Sequence, residues 1–179
     1  LIGLVGSEMC IRDSYKSIEQ LGEIFDRQEQ AQACVEEFET LYTEYREKHG
    51  DREGPSVLIL MGVPGAYIVA TPNSYVGNLV ELAGGRNVYA DVEDEFLQAN
   101  TEDMKNRDPD IILRCAHAMP DVVREMFAEE FETNDIWKHF RAVEEGRVYD
   151  LTYDNFGMSA KFNWPDALEE LEPYLYGEG

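Results

Sequence analysis

The 179-residue sequence has few basic residues, with 15 Lys and Arg against 37 Asp and Glu, and its formal net charge is −22 at pH 7. Binding to nucleic-acid phosphates requires clustered basic side chains, so this charge argues against nucleic acid as a partner. An anionic membrane surface is disfavoured for the same reason. The sequence also lacks any run of about 18 apolar residues, so it predicts no membrane-spanning helix. Because 44% of the residues are hydrophobic, the chain can still bury the core of about one domain.

Cysteine is scarce and shows no recognisable spacing. Cys10, Cys34 and Cys115 include no CxxC pair, and an odd number of cysteines makes a poor disulfide framework. We therefore predict neither a structural zinc site nor a redox pair. Cys34 and Cys115 are interpreted as small, buried, hydrophobic residues.

The common catalytic and nucleotide-binding motifs are also absent. The segment "MGVPGAY" (61–67) has G-x-x-G where a dinucleotide site needs GxGxxG, and neither GxSxG nor a P-loop occurs. The acidic residues at 91–95 are typical of a solvated surface. His49 and His139 have no second histidine three or four positions away, so we predict surface or packing roles for them rather than a multi-histidine metal site. We expect no enzymatic activity.

The first 14 residues, "LIGLVGSEMCIRDS", do not match the rest of the chain. A lipoprotein signal would need a basic start, a longer apolar stretch and small residues before the lipid-bearing cysteine, whereas Glu8 and Met9 precede Cys10. We interpret residues 1–14 as a non-native head and leave them out of functional reasoning. The natural N-terminus is then expected to be missing.

Residues 15–50 carry the pattern of long helical structure. Apolar residues recur at helical spacing from Tyr15 to Lys48, with one turn near Gln28 in which this pattern is weaker. The pattern predicts one long helix or two nearly collinear helices. At about 1.5 Å per residue the segment would be roughly 50 Å long, more than a small domain needs for its own core. Two interpretations follow: a coiled-coil arm, or a spine that joins two lobes.

Residues 54–179 alternate between strand and helix patterns. Strands are predicted at 56–62, 66–71, 110–115 and 147–151, and helices at 74–85, 100–108, 120–131 and 164–175. This alternation predicts an α/β lobe with a mostly parallel sheet flanked by helices. In such sheets, ligands bind beyond the carboxyl ends of the strands. The segments "MGVPG" and "CAHAM" fall at those ends.

His117 directly follows one of these strands and precedes a helix. It should therefore project from the ligand-binding edge of the sheet. A structural histidine is the alternative. A single imidazole beside Met119 and aromatic residues would suit one axial bond to the iron of haem.

Four segments in this order carry a resemblance to a known family. They are "VLILMGVPGAYIVATPNSYVGNLVELAGGRNVY" (57–89), "NTEDMKNRDPDIILRCAHAMPD" (100–121), "FETNDIWKHFRAVEEGRVYDL" (131–151) and "FGMSAKFN" (156–163). Together they resemble the C-terminal half of the haem-receptor lipoproteins of Gram-positive iron-regulated surface determinant systems. The similarity extends from about Tyr15 to the end of the chain.

The resemblance implies a substrate-binding protein of an ABC importer, with two α/β lobes joined by a long rigid helix. Such a protein captures haem b and delivers it to a membrane permease without chemical turnover. The family's "HGMP" element matches "HAMP" (117–120), which implies that His117 is an axial ligand of the haem iron. The family's second ligand, a methionine of the N-terminal lobe, would lie upstream of Tyr15. A lipid anchor, missing from this chain, would hold the full-length protein at the extracellular face of the cytoplasmic membrane.

The resemblance also implies a haem pocket around His117. Its predicted members are Val63, Pro64, Gly65, Tyr67, Tyr75, Met119, Phe156, Gly157 and Met158. Ordinary loop packing is the alternative for each. Met119 or Met158 is a candidate substitute sulfur ligand, although methionine usually fills gaps in a core.

Glu102 lies at the start of a short predicted helix, where the family presents an acidic residue to an arginine pocket of the permease. Stabilisation of the helix dipole is the alternative role. We expect Glu102 either at the end of the strand opposite His117 or on the outer rim of the lobe. Two other functions remain open: the same fold binding a siderophore or cobalamin-type chelate, and an α/β enzyme that acts on haem.

Overall fold

A computed structural model describes residues 11–49, 54–157 and 163–177, with the side chains described from Tyr15 onward. The helices are α1 (Ile11–Ile24), α2 (Gln28–His49), α3 (Tyr75–Leu82), α4 (Thr101–Asn106), α5 (Pro120–Thr133), α6 (Arg141–Glu144) and α7 (Trp164–Tyr176), with a 3-10 helix at Asp135–His139. The strands are β1 (Ser56–Val63), β2 (Ala66–Ala70), β3 (Arg86–Asn87), β4 (Phe96–Gln98), β5 (Ile111–Ala116) and β6 (Val148–Asp150). None of the helices in this part of the chain is long and apolar enough to cross a membrane.

The strands form one six-stranded sheet in the order β4-β2-β1-β5-β6, with β3 also paired to β1. β1 is parallel to β3 and β5, and β5 is parallel to β6. β2 is antiparallel to both β1 and β4. This topology confirms the predicted α/β fold with a mostly parallel sheet.

The central strand β1 is buried on both faces. Val57, Ile59 and Met61 belong to one core cluster, which includes the apolar faces of α3 and α7. Leu58 and Leu60 belong to the other, which includes residues of α5 and the 3-10 helix. A parallel strand covered by helices on both sides needs a continuous apolar run, which is why "VLILM" lacks polar alternation.

The prediction of one long helix or two nearly collinear helices is wrong. The helices break at Phe25–Arg27, where Asp26 has a φ of 55°, and α1 folds back along α2. The ring centroids of Tyr15 and Phe38 are 4.5 Å apart, and a Cβ on Gly22 would lie 2.5 Å from the Cβ of Ala31. The two helices therefore form an antiparallel hairpin that Gly22 allows to close tightly.

The first helix, α1, begins at Ile11, so it includes the last four residues of the segment 1–14 that was interpreted as non-native, and that interpretation stays a prediction. Residues 1–10 lie outside the described residues. Cys34 is exposed on α2, so its predicted burial is wrong, whereas Cys115 is buried as expected. Cys34 lies in an open apolar groove between α1 and α2, which Ile18 and Leu21 also line, so the side chain stays exposed.

The C-terminal end of α2 is attached to the α/β lobe. The hydroxyls of Tyr45 and Tyr176 both donate to the carbonyl oxygen of Ala83, at 3.4 and 2.9 Å. Lys48 forms an ion pair with Glu172 at 2.7 Å. These contacts fix the end of α2 against α3 and α7.

Candidate ligand-binding edge

His117 lies at the carboxyl end of β5, as predicted. The preceding residue, Ala116, pairs with Gly62 of β1, and the His117 N–H donates to the Gly62 carbonyl oxygen at 2.9 Å. The His117 side chain is exposed, and no hydrogen bond or ion pair holds its imidazole among the residues that the structure describes. An imidazole held only through its backbone is accessible to a ligand, which disfavours a packing role.

Met119 occupies a costly backbone conformation next to His117. It is the N-cap of α5 with φ 48° and ψ 60°, and Pro120 follows in the first helical turn. The left-handed conformation costs a non-glycine residue roughly 1–2 kcal/mol. The Met119 side chain is 59% exposed, so it does not fill a gap in the core. The turn thus places a thioether on the surface, two residues from the imidazole.

The turn between β1 and β2 forms the neighbouring part of this edge. Val63 pairs with Ala66 across the turn, and Gly65 has a φ of 84°. Proline followed by a residue with positive φ is typical of a type II turn. A Cβ on Gly65 would meet no atom within 4 Å, so this glycine is required for its conformation rather than for space. Pro64 and Gly65 are exposed, as a pocket position requires.

Gly62 brings α5 close to the edge. A Cβ on Gly62 would lie 2.4 Å from Val123 Cγ1 and 2.8 Å from Phe127 Cε2. Only glycine therefore allows α5 to pack against the end of β1. We did not predict this role, although a glycine within a strand of bulky residues is a signal of close approach.

Tyr67 is held by an acidic residue that the sequence did not single out. Its hydroxyl donates to Glu130 Oε1 at 3.1 Å, and the same oxygen accepts from Trp137 Nε1 at 3.0 Å and Asn134 Nδ2 at 2.9 Å. Burial alone would raise the pKa of Glu130, but these hydrogen bonds hold it below its usual range. Burial, together with the adjacent carboxylate, raises the pKa of Tyr67. The phenol therefore remains a donor to an ionised Glu130.

Three of the predicted pocket residues do not lie at the surface. Tyr75 and Phe156 are 2% and 0% exposed and belong to the core cluster under α3 and α7, and Gly157 is also buried. Their burial disfavours contact of either ring with a ligand on this edge, and the pocket role of these residues stays a prediction. Met158 lies outside the described residues.

Glu102 is exposed in the first turn of α4. Asn100 caps this helix, because its Oδ1 accepts from the N–H groups of Glu102 and Asp103 at 3.1 and 3.2 Å. Arg107 fixes the other end, with ion pairs to Asp91 at 2.6 Å and Asp103 at 3.2 Å. The helix that carries Glu102 is thus held at both ends.

The sheet register places the start of α4 on the same edge as His117. Gln98, at the end of β4, pairs with Ile68 of β2. Ile68 in turn pairs with Met61 of β1, and Met61 pairs with Cys115 of β5. Three strand spacings of about 4.8 Å separate β4 from β5, a distance of about 14 Å. The start of α4, which carries Glu102, therefore lies at the same edge of the sheet as His117 and not at the opposite end of β5.

Within the described ranges, no group of three or more His, Cys, Asp or Glu side chains is arranged to hold a metal ion. The chemistry of this edge is therefore that of one imidazole among exposed apolar groups. Such an arrangement can add one bond to a metal that already has other ligands, such as a chelated iron.

Comparison with known proteins agrees with this description. Residues 5–154 match the family described as periplasmic binding protein. The high-affinity heme uptake system protein IsdE of Staphylococcus aureus strain Newman is 43% identical over 167 residues, which are 93% of this chain and 57% of that protein. The chain thus spans little more than half the length of the curated relatives it matches.

Solved structures show the same similarity. An ABC transporter substrate-binding protein from Listeria monocytogenes EGD-e is 48% identical with a TM-score of 0.88, covering 95% of this chain and 66% of that chain. S. aureus IsdE complexed with heme is 43% identical with a TM-score of 0.85, covering 92% of this chain and 64% of that chain. The sequence, the sheet topology and these similarities together show that the chain belongs to the periplasmic binding protein family.

Proposed function

We propose that this chain is part of the haem-binding component of an ABC importer and that His117 is an axial ligand of the haem iron. The observation that carries the proposal is the exposed imidazole at the carboxyl end of β5, in a chain 43% identical to a heme uptake protein. Haem is here the transported ligand, so the protein needs to bind and release it without chemical change.

The surroundings of His117 suit one face of a porphyrin. A neutral imidazole supplies a nitrogen lone pair to iron, and the exposed Pro64 and Met119 supply apolar surface next to it. Val63 and Tyr67 are partly buried and form the wall on the β2 side. This pocket comprises Val63, Pro64, Gly65, Tyr67, His117 and Met119.

His117→Ala tests the ligand assignment directly. We expect the Soret band of haem to shift and sharpen when haem is titrated into the parent protein. His117→Ala should not produce this change, because no other nitrogen replaces the imidazole. His139→Ala is the matched control, since His139 is also exposed but lies on the 3-10 helix. A Soret spectrum of His117→Ala identical to that of the parent would show that the ligand is another residue.

The purified parent protein also serves to distinguish the alternative functions. Haem that is recovered intact after incubation with a reductant agrees with transport, whereas formation of a ring-opened product would establish an enzyme. Tighter binding of a ferric siderophore or cobalamin than of haem would change the ligand class. The fold would remain that of the family in either case.

We further propose that Glu102 contacts an arginine of the permease. An exposed carboxylate can accept paired hydrogen bonds from a guanidinium, and reversing its charge replaces attraction with repulsion. In a complete two-lobed protein, held by a lipid anchor at the extracellular face of the cytoplasmic membrane, Glu102→Lys should weaken permease binding about tenfold or more and leave haem affinity unchanged.

Glu132→Lys is the matched control for Glu102→Lys. Glu132 is also exposed but lies near the C-terminal end of α5, so the charge change is the same and the position differs. Permease binding in proteoliposomes and haem affinity should be measured for both variants. Equal permease binding by Glu102→Lys and the parent would leave Glu102 with a helix-dipole role only.

A further inference from the structure

We propose that Glu130 is a positioning residue for the ligand-binding edge, and that it acts by holding the phenol of Tyr67. This inference rests on the proposed haem binding, since Tyr67 forms one wall of that pocket. Glu130 itself lies on α5 behind the edge and does not need to touch the ligand.

Glu130 is well suited to hold a side chain in place. Its Oε1 accepts from Tyr67, Trp137 and Asn134 at 3.1, 3.0 and 2.9 Å, and an ionised acceptor makes each of these bonds stronger than a neutral one would. Trp137 is fully buried and stacks on Phe131 at 4.1 Å between ring centroids. The bond from the buried Trp137 therefore fixes the Glu130 carboxylate in the position from which it accepts the Tyr67 hydroxyl.

Tyr67 is connected to His117 through one residue of β1. Gly62 pairs with Tyr67 on one side and with Ala116 on the other, and its carbonyl oxygen accepts from the His117 N–H. The backbones of Tyr67 and His117 are thus two strand spacings apart, about 10 Å. A ligand that binds the imidazole and lies along this edge would extend over this distance of about 10 Å toward Tyr67.

Without the bond to Glu130, the Tyr67 ring has space in which to move. A cavity of about 380 Å³ lies beside it, lined by Gly65, Met126, Glu129 and Thr133 among others. The ring packs on Phe127 and Trp137, at 5.7 and 6.2 Å between centroids, which is within the usual range for aromatic pairs. The hydroxyl bond to Glu130 adds a directional contact that fixes the phenol oxygen.

Two substitutions at one position separate positioning from folding. Glu130→Leu removes the acceptor, while Glu130→Gln keeps an oxygen that can still accept. We expect haem dissociation, followed by transfer to a haem-scavenging protein, to be about tenfold faster in Glu130→Leu, and the Soret circular dichroism to change in shape. Glu130→Gln should restore most of both properties. Glu125→Gln, at an exposed position of α5 outside this cavity, should match the parent.

Tyr67→Phe keeps the test decisive if Glu130→Leu does not fold. This variant removes only the hydroxyl and keeps the ring, so its melting temperature should stay near that of the parent while haem dissociation accelerates as in Glu130→Leu. Parent-like dissociation and Soret dichroism in folded Tyr67→Phe would overturn the inference, because the bond would then be structural only.

The failure of this inference is distinguishable from the failure of the proposed function. If His117→Ala also binds haem as the parent does, then the site is not at this edge. If His117→Ala loses haem coordination and Tyr67→Phe changes nothing, then the site stands and Glu130 has no positioning role.

Discussion

Gly62→Ala tests whether the close approach of α5 to β1 sets the geometry of the edge. The added Cβ would lie 2.4 Å from Val123 Cγ1 and 2.8 Å from Phe127 Cε2, whereas carbon atoms in contact are about 3.5–4.0 Å apart. Val123 and Phe127 are each 1% exposed, so neither can turn outward. The start of α5, or the end of β1, must then move by about 1 Å.

The expected cost of Gly62→Ala follows from this overlap. Overpacking of a well-packed core typically costs about 1–3 kcal/mol of unfolding free energy. At roughly 2–4 °C per kcal/mol for a chain of this size, the melting temperature should fall by about 2–12 °C. The proposed haem binding should weaken as well, because the Gly62 carbonyl oxygen accepts the N–H of His117.

The assay is urea unfolding of Gly62→Ala, Val123→Ala and the double variant. Val123→Ala removes the methyl group nearest to the new Cβ, so the double variant should lose less free energy than the sum of the single variants. Phe127 still limits the relief, and complete rescue is not expected. A Gly62→Ala melting curve that matches the parent, or fully additive free energies, would refute the close-approach argument.

Two other predictions concern ionisable groups. Burial alone would raise the pKa of Asp110, but hydrogen bonds from Ser56 and Arg141 hold it at about 2, below the model-compound value of 3.8. Ionised Asp110 thus contributes about 1 kcal/mol to the free energy of unfolding, after allowance for partial exposure. This contribution is present above about pH 4 and is lost as the pH falls toward 2. Asp110→Asn should therefore flatten the acid dependence of the melting temperature. An unchanged acid dependence would contradict this. Burial raises the pKa of Cys115 to about 12, so iodoacetamide near neutral pH should label the exposed Cys34 and spare Cys115 until the protein unfolds, as mass spectrometry of the peptides can show.

The sequence predicts the sheet and the place of His117 well because both depend on strong local signals. A continuous apolar run such as 57–61 fits only a strand covered on both faces, and a polar residue directly after such a run must lie at the edge of the sheet. The residue types also indicate a cap at the start of α4, for which both Asn100 and Thr101 are suitable.

The α1–α2 hairpin could not be predicted in the same way. Helical periodicity is identical whether the chain continues or turns back, and the break at Asp26 depends on one residue with positive φ. The burial of Tyr75 and Phe156 depends on which helices cover them, and this is not a local property. Two of the hydrogen-bond partners of Glu130 could be predicted from helical spacing, since Asn134 and Trp137 follow it at i+4 and i+7. The third, Tyr67, is 63 positions away in the chain and could not.

The sheet order explains why Glu102 and His117 lie on one side of the lobe. β4 is antiparallel to β2 and β2 is antiparallel to β1, so β4 runs in the same direction as β1 and β5. Strands that run in the same direction end at the same edge, which brings the start of α4 level with the end of β5. A partner that binds the start of α4 would therefore face the edge that carries His117, and the strands that lead to the two residues, β4 and β5, are about 14 Å apart. Under the proposed function, docking at Glu102 and ligand binding at His117 would occur on one edge of the lobe.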